Sequence, residues 1–104
     1  MTQPDYMAES QLLKVMAHPV RLEILEVLSE DQKCVVEVEQ LIDGSTQSST
    51  SQHLALLRHC QIVGFRREGN KRCYFLTNPE MIIRVLAALR GEYVKDWTLE
   101  QPVL

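Results

Sequence analysis

The segment from Ser45 to Leu57 constrains the fold of this 104-residue chain more than any other stretch. It reads Ser-Thr-Gln-Ser-Ser-Thr-Ser-Gln-His-Leu-Ala-Leu-Leu, so small polar side chains come first and apolar residues follow at helical spacing. Such a helix has a neutral, polar leading half and a trailing half anchored in a core. Short polar side chains let a backbone approach closely, and Ser, Thr and Gln reach both phosphates and base edges. The segment therefore predicts a helix whose front end enters the major groove of DNA.

Charge is distributed unevenly along the chain. The net charge is −3, which by itself argues against a nucleic-acid partner. Between residues 44 and 75, however, five basic side chains outnumber one acidic side chain, whereas the remaining residues carry 6 basic and 13 acidic ones. A basic patch on an otherwise acidic protein is compatible with a DNA-binding protein whose positive electrostatic potential is confined to one region. A randomly uneven distribution of charge would give the same counts.

The bulk properties are those of one ordinary globular domain. The chain is 45% hydrophobic and 24% charged, and no apolar run approaches the length of a membrane span. The N-terminus lacks the basic region and apolar core of a secretory signal, so we expect a cytoplasmic protein with no membrane partner. The sequence predicts a flexible arm over residues 1–7, a single domain over residues 8–97 and a tail over residues 98–104.

Helical and β-type patterns follow one another in a definite order. Apolar spacing predicts helices over residues 8–17, 19–28 and 35–42, the third ended by Asp43-Gly44. A fourth helix follows, with Ser45 to Gln47 as candidate caps, and runs to about Cys60. Two β-prone runs, 62–68 and 71–76, flank the turn Gly69-Asn70 and predict a hairpin. A last apolar helix begins after the N-cap Asn78. The predicted fold is mostly α with a small β-hairpin: a winged helix-turn-helix of four helices, a β-wing and a final helix.

Two sets of side chains are predicted to contact double-stranded DNA. The helix reads base edges, whereas the wing contacts phosphates, which adds affinity and salt dependence but no specificity. On the recognition helix the candidates are Gln47, Ser48, Ser49, Ser51, Gln52, His53 and Arg58. On the wing they are Arg66, Arg67, Asn70, Lys71 and Arg72.

Three stretches carry a resemblance to a known family. They are LLKVMAHPVRLEIL at 12–25, STSQHLALLR at 49–58 and IVGFRREGNKRCYFL at 62–76. In these stretches the chain resembles the ArsR/SmtB family of small winged-helix repressors. The resemblance implies a cytoplasmic homodimer that binds an inverted repeat at a promoter and is released by a metal ion, a metalloid or thiol oxidation. It also implies a dimer interface on the first and last helices, which we assign to Leu12, Leu13, Met16, Ile82, Val85, Leu86, Leu89 and Tyr93.

The sensor sites typical of that family are incomplete in this sequence. Cys34 matches the first position of a Cys-x-Cys site at the start of the third helix, but Val36 stands at the second. A lone thiolate does not hold a soft metal, which needs three or four ligands. The last helix has no His, and the second and last helices have no Cys. We therefore predict no cofactor, although the incomplete ligand sets leave a metal ion open as an alternative.

The three cysteines, Cys34, Cys60 and Cys73, are an odd number without a CxxC pair, and we expect three reduced thiols. Cys60 ends the recognition helix and Cys73 lies on the returning wing strand, so the two are expected to be near each other. One alternative is a thiol-based redox sensor that uses this pair. The other is that the thiols are inert and serve as small hydrophobic residues.

Two further classes of function are weaker alternatives. A protein-interaction module without specific DNA binding would use the acidic segment 21–43, which holds 2 basic and 7 acidic residues. The wing arginines and the polar recognition helix argue against it. An enzyme is not expected, because the sequence has no phosphate-binding loop and no nucleophile–base pair.

Overall fold

The computed structural model describes residues 3–42 and 46–91. In this part of the chain the elements are α1 (Tyr6–Met16), α2 (Pro19–Glu30), β1 (Lys33–Cys34), α3 (Val35–Leu41), α4 (Gln47–His59), β2 (Val63–Glu68), β3 (Lys71–Leu76) and α5 (Pro79–Leu89). The predicted mostly α fold with a β-hairpin is confirmed. None of these helices has the length and apolar character that crossing a membrane requires. The predicted turn at Asp43-Gly44 and the predicted tail lie outside the described residues.

The helices begin where polar side chains cap them. Oδ1 of Asp5 accepts a hydrogen bond from the backbone N–H of Ala8 at 3.1 Å, so α1 begins at Tyr6. Tyr6 and Met7, which the sequence assigns to a flexible arm, are therefore helical. The predicted cap of α5 is confirmed, because Oδ1 of Asn78 accepts a hydrogen bond from the N–H of Met81 at 3.2 Å.

The hairpin is part of a three-stranded antiparallel sheet. Strands β2 and β3 pair with Val63 opposite Leu76, and Gly69 in their turn has φ +64°, a conformation that glycine adopts without strain. Strand β1 pairs with the other edge of β3, giving the order β1-β3-β2. The sequence does not predict β1, because two residues are too few to show the alternation of a strand.

One apolar core joins the helices to the sheet. Ile24 and Leu25 of α2, Leu54 and Leu57 of α4 and Ile82 of α5 are fully buried in it. The trailing half of α4 is therefore anchored as its sequence predicts. Leu41, which the helical spacing of α3 predicts to point inward, is 52% exposed. The helix ends there, and the extended residue that follows, Ile42, fills the core instead.

Candidate nucleic-acid interface

The leading end of α4 presents polar side chains to solvent. Oγ1 of Thr46 accepts a hydrogen bond from the N–H of Ser49 at 3.1 Å and caps the helix. One turn later, Ser51 and Gln52 are exposed, while Thr50 on the opposite side is only 1% exposed. The helix therefore has one side in the core and one polar side in solvent. The side chains of Gln47 and Ser48 lie outside what the structure describes.

The wing stands beside this polar side and forms a cleft with it. A surface cavity of about 320 Å³ is lined by Cys34, Val35, Val36, Ser51, Asn70, Lys71 and Arg72. The structure thus brings a predicted base-reading residue of α4 and three predicted wing residues to one cleft. Both cations at its edge are exposed, as phosphate contacts require.

Aromatic rings position three of the predicted DNA-binding arginines. The guanidinium carbon of Arg58 lies 4.1 Å from the ring centre of Phe65, and that of Arg72 lies 5.0 Å from the same ring. Arg66 lies over Phe75 at 4.9 Å. Exposed cation–π contacts contribute about 0.5–1 kcal/mol each and leave the positive charge intact. Phe65 therefore links the end of the recognition helix to the wing while both arginines keep their charge for phosphate.

Glycine at position 64 leaves space for the ring of Phe75, which stacks with Arg66. A Cβ on Gly64 would lie 2.7 Å from the ring of Phe75, which crosses over β2 at this point. Pairing places Gly64 directly opposite Phe75, and the ring continues toward the guanidinium of Arg66. A side chain at position 64 would therefore force the ring of Phe75 to move.

His53 takes part in anchoring α4, and its contact with DNA stays a prediction. Nε of Arg21 donates a hydrogen bond to Nδ1 of His53 at 3.2 Å, and the rings of His18 and His53 lie 4.5 Å apart. Burial lowers the pKa of His53, and the nearby His18 and Arg21 lower this pKa further. Because these partners hold the half-buried ring, it faces α2, whereas the neighbouring Ser51 and Gln52 are exposed. No sequence spacing indicates Arg21, since 32 residues separate it from His53.

The residues predicted to form the dimer interface differ in their exposure within the protomer. Ile82 and Leu86 are 0% and 5% exposed, because they seal α5 onto the core of their own protomer. Leu13 is 60% exposed and Leu89 is 41% exposed. An apolar groove of about 320 Å³ is lined by Leu13, Met16, Ala17, Leu22, Val85 and Leu89. Met16, only 3% exposed, forms its floor, and Leu12 packs half-buried against the core. Tyr93 lies outside the described residues.

The cysteines are arranged differently from the prediction. Cys34 of β1 and Cys73 of β3 are opposite each other in the sheet and form a disulfide, with Cα atoms 3.8 Å apart. The expectation of three reduced thiols is therefore wrong, and so is the pairing of Cys60 with Cys73. Cys60 is a free, exposed cysteine at the end of α4. The sequence does not indicate the Cys34–Cys73 pair, because this pair depends on the pairing of the two-residue strand β1 with β3.

Known proteins are similar to this chain in sequence and in fold. Residues 18–64 match the family described as "Bacterial regulatory protein, arsR family". The uncharacterized HTH-type transcriptional regulator Rv0081 of Mycobacterium tuberculosis is 36% identical over 89 residues, which cover 86% of this chain and 77% of that protein. Its crystal structure matches with a TM-score of 0.73 and 33% identity, over 90% of this chain and 93% of that one.

Two other similar proteins have more informative names. The arsenical resistance operon repressor of Staphylococcus xylosus is 36% identical over 74 residues, 71% of this chain and 70% of that protein. A homodimeric winged helix-turn-helix DNA-binding domain from Mycobacterium bovis matches with a TM-score of 0.71 and 25% identity, over 90% of this chain and 88% of that one. With its winged helix-turn-helix fold and these relatives, the chain belongs to the ArsR family of bacterial regulatory proteins.

Proposed function

We propose that this protein is a cytoplasmic transcriptional repressor, without catalytic activity, that binds an inverted-repeat operator as a homodimer. The observation that carries the proposal is the cleft in which Ser51 of α4 meets Asn70, Lys71 and Arg72 of the wing. A helix whose polar side faces such a cleft fits into a major groove, while the wing lies over the neighbouring backbone.

The chemistry of the two sides assigns different tasks to them. Ser51 and Gln52 carry neutral donors and acceptors that read base edges. The wing cations, with Arg58 held on Phe65, neutralise phosphates and release counterions. Affinity therefore comes mainly from the arginines and lysine, and sequence preference from α4.

The apolar groove between α1 and α5 supports a homodimer. Exposed leucines in one continuous groove are characteristic of a surface that a partner covers. In dimeric helix-turn-helix proteins the two recognition helices lie about one DNA turn, roughly 34 Å, apart, so we expect the operator to be an inverted repeat. The homodimeric domain from Mycobacterium bovis supports this assembly, and the arsenical resistance operon repressor supports a repressor role.

Selection of duplexes from a random-sequence library tests the proposal directly. We expect enrichment of an inverted repeat whose half-sites are centred about 10 base pairs apart. Repeating the binding at several salt concentrations is expected to give a linear loss of log affinity with log salt. Binding that does not depend on the DNA sequence would contradict a repressor and favour the protein-interaction module that uses the acidic segment 21–43.

A further inference from the structure

Cys34 and Cys73 lie where the helix-turn-helix meets the wing. Cys34 ends β1 and is the N-cap residue of α3, the first helix of the helix-turn-helix. Cys73 is in the strand that carries Lys71 and Arg72. The disulfide therefore joins the two parts of the proposed DNA-binding surface, across 39 residues of sequence.

The two sulfur atoms differ in access. Cys73 is only 1% exposed, whereas Cys34 is half-buried and lines the cleft together with Lys71 and Arg72. Positive charges beside a cysteine favour its thiolate, which is the reactive form. A small oxidant that enters the cleft therefore meets Cys34 first, and Cys73 is placed to close the disulfide.

A permanent disulfide does not suit this position. The inference rests on the proposed function, since a protein bound to chromosomal DNA shares a compartment in which thiols are kept reduced. Disulfides that form there are usually transient and serve catalysis or redox sensing. The Cys34–Cys73 pair has the asymmetric access that such a reversible site needs.

We propose that Cys34 and Cys73 form a peroxide-reactive dithiol whose disulfide fastens the wing to the helix-turn-helix. The Cys34 thiolate attacks a peroxide oxygen, the O–O bond breaks, and water or an alcohol leaves as Cys34 becomes a sulfenic acid. The Cys73 thiol then attacks that sulfur, the S–S bond forms and water leaves. The two thiols together lose two electrons to the peroxide, and a dithiol reductant restores them by exchange.

The disulfide affects DNA binding through the mobility of the wing. Without it, no covalent bond joins β1 to β3, and their ladder has two residue pairs, Lys33–Tyr74 and Cys34–Cys73. With it, the base of the wing is fixed relative to α3, so less conformational freedom is lost when DNA binds. The oxidised form therefore binds the operator more tightly, by about three- to tenfold.

The chemistry is tested in a Cys60→Ser background, which removes the exposed thiol. Reduced protein is treated with one equivalent of hydrogen peroxide, and the intact mass and the tryptic peptides are measured. We expect a loss of two hydrogens and a peptide in which Cys34 is linked to Cys73.

Two single-cysteine variants show which sulfur reacts first. In Cys73→Ala, a 1,3-diketone is expected to trap a sulfenic acid at Cys34; alanine is chosen at position 73 because serine would bury a hydroxyl group there. In Cys34→Ser, which keeps an N-cap side chain, no adduct is expected at Cys73. An unchanged mass, or an adduct at Cys73, overturns the proposal.

The coupling to DNA is tested with the duplex enriched by library selection. Oxidised and reduced Cys60→Ser protein are compared by fluorescence anisotropy, with Cys34→Ser/Cys60→Ser treated identically as the control. Tighter binding by the oxidised form, absent in the control, supports the proposal, and equal or weaker binding overturns it.

If no duplex is enriched, the proposed function has failed, and hydrogen exchange on DNA-free protein decides this inference instead. Slower exchange of the β1 and β3 amides after oxidation supports it, and unchanged exchange overturns it.

Discussion

Arg21 of α2 joins the recognition helix to the rest of the domain through His53. Its Nε donates a hydrogen bond to Nδ1 of His53 at 3.2 Å, and its Nη1 donates one to the carbonyl oxygen of Val15 at 2.9 Å. One guanidinium therefore connects α1, α2 and α4. Because His53 is next to Gln52 in sequence, this connection fixes the rotation of α4 that points Gln52 outward.

Replacement of Arg21 by Met is expected to weaken both folding and DNA binding. Met keeps the apolar stem but removes both hydrogen bonds, so the free energy of unfolding should fall by about 1–3 kcal/mol. Urea denaturation and the affinity for the selected duplex are the measurements. Arg84→Met removes the same charge from an exposed i,i+4 pair with Glu80 and should change stability little. Equal effects of the two substitutions would contradict the anchoring role.

Stability is expected to decrease in mild acid because of His53. Burial, followed by the charges of His18 and Arg21, lowers its pKa below the ordinary value of 6.5, so the unfolded chain takes up a proton before the folded one. The contribution is fully present above pH 6.5 and is lost as pH falls from there through the folded-state pKa. Urea midpoints between neutral pH and mildly acidic pH measure this loss.

A matched pair of substitutions isolates that effect. His53→Asn provides an oxygen that accepts the hydrogen bond from Arg21 but does not titrate, so the acid dependence should become smaller. His59→Asn removes an exposed histidine of the same helix and should leave the dependence unchanged. An unaltered pH profile in His53→Asn would rule out His53 as its source.

The two sides of the cleft are expected to respond differently to alanine. Lys71→Ala should weaken binding to all sequences alike and reduce the salt slope by about 1, because a phosphate contact is lost. Ser51→Ala and Gln52→Ala should instead alter the preferred bases, with a discrimination change of about 1–3 kcal/mol per base pair. Affinities for the selected duplex and for single-base variants distinguish the outcomes. Uniform loss in all variants would refute the division between groove and phosphate.

Leu13→Glu is expected to abolish the dimer while leaving the fold intact. Leu13 is 60% exposed in the groove between α1 and α5, so a charge there costs the free protomer little but opposes association. Leu41→Glu is the control, because Leu41 is 52% exposed on α3, away from the groove. Sedimentation at micromolar concentration should give a monomer for the first variant and a dimer for the second. A dimer in both would place the interface elsewhere.

Gly64→Ala is expected to destabilise the wing. The added Cβ lies 2.7 Å from the ring of Phe75, so the ring must move and the stack with Arg66 is disturbed. Overpacking of this kind costs about 1–3 kcal/mol. Gly91→Ala is the control, since its Cβ would make an ordinary contact at 3.6 Å. Thermal unfolding of both variants measures the difference, and equal midpoints would contradict the steric argument.

Local patterns predicted most of the fold, whereas contacts between distant segments were not accessible from the sequence. The polar-to-apolar change along α4, the turn at Gly69 and the cap at Asn78 are all encoded within a few residues. Strand β1, the Cys34–Cys73 disulfide and the Arg21–His53 hydrogen bond each join segments more than 30 residues apart. The hydrophobic periodicity of a single segment does not indicate which distant segment it contacts.

Helix α5 illustrates a different limit. Its apolar residues predict a buried helix, but the same pattern fits burial inside one protomer and burial between two. The structure separates the two cases, because Ile82 and Leu86 face the core while Leu89 remains exposed. Only the position of α5 against α2, which the sequence does not specify, makes the distinction.

The division of α4 into an anchored half and an exposed half has an evolutionary consequence. Leu54 and Leu57 hold the helix in the core, whereas Ser51 and Gln52 are exposed, where substitutions usually change stability by about 0.5 kcal/mol or less. Natural selection can therefore replace the two exposed residues with little loss of stability. Paralogues that diverge at these positions would acquire separate target genes while keeping the same scaffold.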